Sequence, residues 1–361
     1  MLLEGLHIPL TTPFHPDGRL NPHKLAANVA RYSKTPAAGL IVLGPSGEPT
    51  LLSDEETRET LRTAAQAAAP EKILIAGISR DSVHETLALA DFAADQKFDA
   101  VLVRVPSFLA LEGQTDPPAL KIDLPRLVQS RLREQRTFFQ TVADRSPLPI
   151  ILLHVLNRIV RLPDAVELAS HPNIVGIFGA GMSSVMQRAR ISGLLDRTAS
   201  IKRDVTVTHL FAAVTARMRK SPAPSLISPA SLTRPATEPP SGPLIRTRTK
   251  SVGFQTIVAH TRDMLDALDA GASGIAPAFA AAAPQACYDI FAAWKDSDQP
   301  LAAEKQLRLR EAARLAEENP GLLKFACDLN GYFGGLPRLP HLPPTGEQRA
   351  ALQSLMEGIR T

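Results

Sequence analysis

The sequence predicts an α/β protein built as a (β/α)8 barrel, and three observations predict it. Short apolar runs alternate with amphipathic stretches of helical period from the first residues to about residue 298. The runs are rich in β-branched residues and apolar on both faces, as parallel strands covered by helices must be. Eight such pairs can be counted, one of them interrupted. A doubly wound sheet is the rival arrangement. It usually carries a glycine-rich nucleotide turn after its first strand, and Thr11-Thr12-Pro13-Phe14 does not resemble one.

The elements follow in order. Leu6–Thr11 reads as the first strand and Leu25–Ser33 as its helix. Gly39–Gly44 (GLIVLG) is the second strand, and a helix spans Asp54–Ala69. Ser53 stands where a capping hydroxyl is wanted, and Asp54, Glu55 and Glu56 sit at the positive end of that helix dipole. Strand Ile73–Ile78, helix Val83–Asp95, strand Ala100–Val105, helix Leu124–Ala143 and strand Ile150–Val155 continue the alternation. Helix Pro163–Ser170, strand Ile174–Phe178 and helix Ser184–Asp196 complete six units. Gln255–His260 is the seventh strand, Met264–Asp269 its helix, and Ser273–Ala278 the eighth strand. Three further helical stretches, Gln285–Asp296, Ala302–Glu318 and Gln348–Ile359, follow. The last two exceed what a barrel needs, so residues 299–361 read as a C-terminal helical cap on a barrel of residues 1–298.

The interruption falls at about 219–252. From Ser221 to Pro243 there are seven prolines and five serines, with few large apolar residues. Such a stretch cannot bury enough surface to offset its ordering entropy, so a long disordered Pro/Ser-rich insertion is expected. A solvated loop without function, a partner-binding segment and untranslated material carried into the sequence all fit it. The same region carries the charge. The net charge is +4, but Arg217 to Lys250 holds seven basic residues and one acid, which leaves the rest of the chain at −2. No basic stripe interleaved with aromatics occurs, so nucleic acid is not an expected partner. No apolar stretch reaches the roughly 18–20 residues that span a bilayer. The start, Met1-Leu2-Leu3-Glu4-Gly5, lacks a basic leader, and only two cysteines occur, Cys287 and Cys327. A cytoplasmic, reducing location is therefore expected, with both thiols as small buried residues.

Several segments, in order and spacing, resemble the dihydrodipicolinate synthase / N-acetylneuraminate lyase family of pyruvate-handling aldolases. Pro9-Leu10-Thr11-Thr12-Pro13-Phe14 with Asp17-Gly18 is similar to the family's opening strand and loop. Leu43-Gly44-Pro45-Ser46-Gly47-Glu48 is similar to its carboxylate-binding turn, and Leu51-Leu52-Ser53-Asp54-Glu55-Glu56 to the helix start behind it. Ile75-Ala76-Gly77-Ile78 matches the third strand, and His171-Pro172-Asn173-Ile174-Val175-Gly176-Ile177 the approach to the Schiff-base lysine. Leu323-Lys324-Phe325-Ala326 and Pro337-Arg338-Leu339-Pro340 resemble the cap. The resemblance implies a TIM barrel, a small anionic keto acid as substrate, no cofactor, and a homo-oligomer, dimer or tetramer.

The departures fall where the family does its chemistry. Phe178 stands at the position of the imine-forming lysine, Pro45 at the relay threonine, and Phe108 and Leu153 at tyrosines. A benzyl ring cannot form an imine, and imine formation is what provides the family's electron sink. On the strand reading, the ends of the strands carry Ser46, Glu48, Ser79, Arg80, Arg104, His154, Arg158, His260 and Arg262. The resemblance places Arg158 where the family binds substrate carboxylate. Guanidiniums clustered at one barrel mouth suit an anion. Gly44, Ser46, Gly47, Glu48, Arg104 and Arg158 are therefore the candidate substrate-binding set. His154 and His260 are the candidate general acid/base groups, because imidazole titrates near neutrality. No metal-ligand spacing occurs. Three functions stay open: a diverged lyase, dehydratase or isomerase that works without an imine; a non-catalytic binding or structural subunit; and an ordinary aldolase whose amine comes from elsewhere, with Lys202 and Lys324 as the lysines to consider.

Overall fold

The computed structural model describes residues 3–110, 124–155, 160–179, 184–210 and 245–359. Eight parallel strands close into a barrel. They are β1 (Gly5–Pro9), β2 (Gly39–Val42), β3 (Ile73–Gly77), β4 (Ala100–Arg104), β5 (Ile150–His154), β6 (Ile174–Gly179), β9 (Gln255–Val258) and β10 (Gly274–Ile275). Each strand pairs with its neighbours in chain order around the ring, β6 pairs with β9, and β10 closes on β1. The helices α1 (Pro22–Tyr32), α2 (Asp54–Ala67), α3 (Val83–Asp95), α4 (Leu124–Arg145), α5 (Leu162–Ala169), α6 (Ser184–Arg197) and α7 (Met264–Asp269) connect them. Helices α8 (Pro284–Lys295), α9 (Gln299–Ala316), α10 (Pro320–Leu329) and α11 (Gly346–Leu355) follow the last strand.

The pleat divides each strand between two environments. Leu40 and Val42, Ala76, Val101 and Val103, Ile150 and Leu152, and Ile177 join the shell core with helix residues such as Leu61, Ala90, Val142 and Leu168. The residues between them turn to the barrel interior. The register aligns Arg104 with Leu153, Leu153 with Phe178, and Phe178 with Ile257, so these four side chains form one interior layer.

Local signals explain the helix limits. Ser53 forms a capping box with Glu56, and Thr345 does the same with Gln348. Asn319 accepts the Leu322 N–H at 2.9 Å ahead of Pro320, starting α10. Its bounds are not among the helical stretches read from the sequence, although Cys327 and Asp328 read as helix positions in the cap. Its glycine is required, since a Cβ at Gly321 would lie 2.7 Å from the Leu342 carbonyl oxygen.

The interruption departs from its expected form. Arg203–Leu210 (β7) and Ile245–Val252 (β8) pair antiparallel in a two-stranded ribbon, a compact unit of its own. Residues 245–252, expected to be disordered, are strand. Their alternating pattern, Ile245-Arg246-Thr247-Arg248-Thr249-Lys250-Ser251-Val252, is a strand signal that the prolines upstream concealed. Residues 219–244 of the expected insertion lie outside the described residues. No helix of the described residues is long and apolar enough to cross a membrane.

After β2 the chain turns across the mouth. Leu43 has φ +57°, and its carbonyl lies where a Cβ on Gly77 would sit, 1.9 Å away. Only glycine permits that approach. Gly77→Ala is expected to lower stability by about 1–3 kcal/mol, the usual cost of overpacking. The measurement is a urea midpoint. An unchanged midpoint would mean that the Leu43 turn is able to move away.

Candidate functional site

The C-terminal ends of the strands form the mouth where barrels of this kind carry their chemistry. Phe178 sits in its interior layer, 2% exposed, beside Leu153 and Ile257. The centre of the mouth is thus hydrocarbon at the sixth barrel strand.

The turn after β2 is well ordered by its own bonds. Gly47 N–H donates to the Gly44 carbonyl at 2.9 Å, and the Thr12 hydroxyl donates to the Gly47 carbonyl at 2.7 Å. Ser46 is half-buried and Pro45 exposed. Glu48, expected to bind substrate, does something else. It is 3% exposed in a left-handed conformation, φ 53°. Its Oε1 is ion-paired with Lys324 of α10, and its Oε2 accepts the Arg338 N–H at 2.9 Å. Lys324 is fully buried, donates to the Leu336 carbonyl at 3.0 Å and lies 4.3 Å from the Phe14 ring centre. Arg338 covers the same ring at 4.3 Å and forks onto both oxygens of Glu56 at 2.6 Å. Burial pulls the Lys324 amine below its ordinary value, against the opposing pull of Glu48. Glu48 is therefore a structural anchor, and sequence reasoning missed it because its partner lies 276 positions away.

Arg104 ends β4 with its side chain 12% exposed. Asp81, unnoticed in the sequence, holds it at 3.0 Å, and the Val105 carbonyl and Ser107 hydroxyl accept from it at 3.0 and 3.2 Å. Burial alone would raise the Asp81 carboxyl. The Ser107 N–H and Arg104 outweigh that and hold it below the usual carboxylate range. Its place directly after Ser79-Arg80 at a strand end is the signal that could have found it. Ser79 Oγ accepts the Arg104 N–H at 3.0 Å. Arg80 turns to Asp54 at 2.9 Å and Thr57 at 3.0 Å, and Arg262 to Asp263 at 3.4 Å. Neither joins Arg104. Arg158 lies outside the described residues.

The two histidines differ. His154 pairs with Gly179 in the ladder and shares the parity of Leu152, so it faces the helical shell and not the interior. It is 1% exposed, and its Nδ1 accepts the Val160 N–H at 3.3 Å. Burial, then the charge of Arg190, lower its pKa to about 4. As a mouth acid/base, His154 is corrected by this orientation. The ladder shifts register between Ile150 and Ile151, where the extra residue is Val175 of β6, while β5 stays in unbroken register with β4. His260 follows β9 with its side chain 26% exposed, and its Nδ1 lies 3.5 Å from Glu317. Glu317 also accepts from the Thr261 hydroxyl at 2.8 Å and the Phe279 N–H at 3.3 Å. The carboxylate beside the ring gives His260 an oriented imidazole. No group of His, Cys, Asp and Glu among the described residues could hold a metal ion. Cys287 and Cys327 are buried, and burial pushes the Cys327 thiol up to about 12. Neither is nucleophilic at neutral pH.

The fold and mouth define an aldolase-type (β/α)8 barrel with a helical cap. The profile of the dihydrodipicolinate synthetase family matches residues 2–114. The 4-hydroxy-tetrahydrodipicolinate synthase of Acidiphilium cryptum (strain JF-5) is 25% identical over 363 residues, covering 99% of each chain. The N-acetylneuraminate lyase of Rhizobium meliloti (strain 1021) is 31% identical over 179 residues, 49% of this chain and 54% of that one. The crystal structure of a dihydrodipicolinate synthase from Bacillus anthracis superposes with a TM-score of 0.74, covering 100% of both chains at 20% identity. The family model thus covers the first third of the chain, and the relatives, named as a synthase and a lyase, extend the likeness at 25–31% identity.

Two predictions follow from the buried groups. His7 on β1, fully buried, and His154 both have pKa values lowered from 6.5 to about 4, His7 mainly by burial. Unfolding lets each bind a proton between those values, so stability is complete above pH 6.5 and falls as pH drops toward 4. The loss is on the order of 3 kcal/mol per histidine. Urea unfolding at pH 7, 5.5 and 4.5 measures it, and His154→Gln should make that acid limb shallower. Lys324→Met leaves Glu48 buried and uncompensated, with an expected loss of about 3–5 kcal/mol. Adding Glu48→Gln should recover part of it, and a double variant as weak as the single would disprove the pairing.

Proposed function

We propose that this chain is a diverged lyase of its family. It takes a small anionic keto acid or related carboxylate at the barrel mouth and moves protons without forming an imine. Phe178 carries the reading. It occupies the interior layer at the strand where the family keeps its lysine, and it has no group that can condense with a carbonyl. Among the described lysines only Lys324 is buried, and it is committed to Glu48, Leu336 and Phe14. Lys202 is exposed and precedes the ribbon. A relocated amine therefore has little support.

The groups left for the chemistry are modest. Arg104, fixed by Asp81, offers positive charge beside Phe178 for a carboxylate. The Gly44–Gly47 turn, with Ser46 half-buried, forms the opposite rim. His260 is the acid/base candidate, since Glu317 beside Nδ1 orients the ring and leaves Nε2 for a ligand. Without an electron sink of its own, such a site suits dehydration or proton transfer at an acidic carbon better than cleavage of an unactivated bond.

A second reading, a non-catalytic binding or structural subunit, is favoured by one observation. The interior layer of Leu153, Phe178 and Ile257 is apolar, and His154 faces the shell behind it. Exposed Phe108, 64% accessible, would suit contact with another copy in either case.

Borohydride reduction in the presence of pyruvate, followed by intact-mass measurement, is expected to give no adduct. An adduct would return ordinary aldolase chemistry. Thermal shift against small 2-keto acids and 2-keto-3-deoxy acids is expected to reveal a stabilising ligand. With a substrate so found, His260→Ala should lower kcat by about 10²-fold or more with the melting temperature kept. Full turnover in that variant would remove His260 from the mechanism. No ligand and no turnover would favour the non-catalytic reading.

A further inference from the structure

A second polar site lies outside the mouth, in the wall between the barrel and α6. A small cavity of about 30 Å³ is bounded there by Ile177 of β6, Thr256 and Val258 of β9, and Arg190, Ile191 and Leu194 of α6. Two of these residues bring unbalanced polarity into an otherwise apolar space. Thr256 is 3% exposed, and its hydroxyl is buried without a hydrogen-bond partner. Arg190 is half-buried, donates to the Val160 carbonyl at 2.5 Å, and has no carboxylate within ion-pair distance among the described residues. Desolvation pulls its guanidinium down to about 10.

Buried charges are ordinarily paired, and buried hydroxyls ordinarily bonded. Arg80 with Asp54, Arg104 with Asp81, Arg136 with Asp164 and Glu167, and Arg338 with Glu56 show the usual arrangement, a largely covered guanidinium matched by a carboxylate. At Arg190 the adjoining groups work the other way. His154 nearby is held neutral, its Nδ1 already accepting from Val160. What the cavity lacks is a negative charge that also accepts a hydrogen bond from a hydroxyl.

We propose that this cavity is a binding site for a small monovalent anion, paired with the Arg190 guanidinium and accepting a hydrogen bond from the Thr256 hydroxyl. The volume limits the occupant to a few heavy atoms. A short carboxylate such as acetate would match the planar guanidinium and set its methyl against Ile177, Ile191 and Val258. A halide would meet the same two donors. The site lies on the shell side of β6 and β9, where Ile177, Thr256 and Val258 point and where Gly179 and Ile257 complete its lining, whereas Phe178 does not line it. It therefore stands or falls independently of the reading of Phe178.

The test uses the full chain, dialysed into gluconate buffer, because gluconate is too large for the cavity. Acetate and bromide are titrated separately at constant ionic strength, with acetamide as the neutral control. The melting temperature should rise saturably with acetate, bromide or both, and not with acetamide. Acetate alone would assign a carboxylate site, and bromide alone a halide site. Arg190→Met should lose at least tenfold in anion affinity and Thr256→Val a smaller factor, while Arg104→Gln, at the mouth, should leave it unchanged. Without anion, Arg190→Met should melt no lower than the native chain, since it removes an uncompensated charge. A flat titration in the native chain would mean that the cavity holds water only and would overturn the proposal. So would equal anion affinity in Arg190→Met, or loss in Arg104→Gln instead.

Discussion

The buried pair of Lys324 and Glu48 is the constraint around which the barrel mouth is organised. A lysine with no exposed surface and a carboxylate 3% exposed must satisfy one another, because neither can reach water. Meeting that demand draws α10 against the turn after β2. The cation then lies over Phe14, Arg338 covers the same ring, and Glu56 at the start of α2 holds Arg338. Five segments far apart in sequence, the loop after β1, the turn after β2, the start of α2, α10 and the stretch around Arg338, are locked by one charged cluster. The cap is thereby part of the barrel's structure and not an appendage.

The same economy governs the rest of the mouth. Its charged groups are nearly all engaged with the protein itself: Arg104 with Asp81, Arg80 with Asp54, His260 with Glu317. These pairs fix side chains in place, as a binding site requires, and they limit the charge left for a ligand. Against that background the proposed chemistry turns on the hydrocarbon at position 178, a side chain that offers a ligand only van der Waals contact. Arg190 is the contrasting case, a guanidinium in the shell with no acid in ion-pair reach among the described residues, and the imbalance supports the proposal of a small anion there.

Much of the fold was legible because its signals are local. Strand–helix alternation, the Ser53 cap and the β-branched runs each depend on residues a few positions apart. The failures have physical causes too. Cys327 and Asp328 were read as helical, but the bounds of α10 were not, because Asn319-Pro320-Gly321 serves equally well as a turn and as a helix start. The β7–β8 ribbon was hidden because its partners flank a proline-rich stretch, and its pairing is non-local. Phe178 and Arg104 were picked out from their positions at strand ends, and the structure places both in the interior layer. Asp81 was passed over although it follows Ser79-Arg80 at a strand end, and Glu317 was missed because nothing near it in the chain announces the residue it would hold. Glu48 was seen but misread, since a carboxylate in a turn looks available until its distant lysine is known.

By itself, then, the sequence determined which residue types line each strand, that eight such strands must hide apolar sides under helices, and that no amine stands at position 178. Those are matters of composition and period, which short-range sterics and burial convert directly into structure. Only the tertiary structure decided which way His154 faces, that Glu48 pairs with Lys324 of the cap, and that Arg190 has no acid in ion-pair reach among the described residues. Each of these depends on ladder register or on a contact across the closed barrel. Register and closure are properties of the packed whole, and no stretch of the chain encodes them alone.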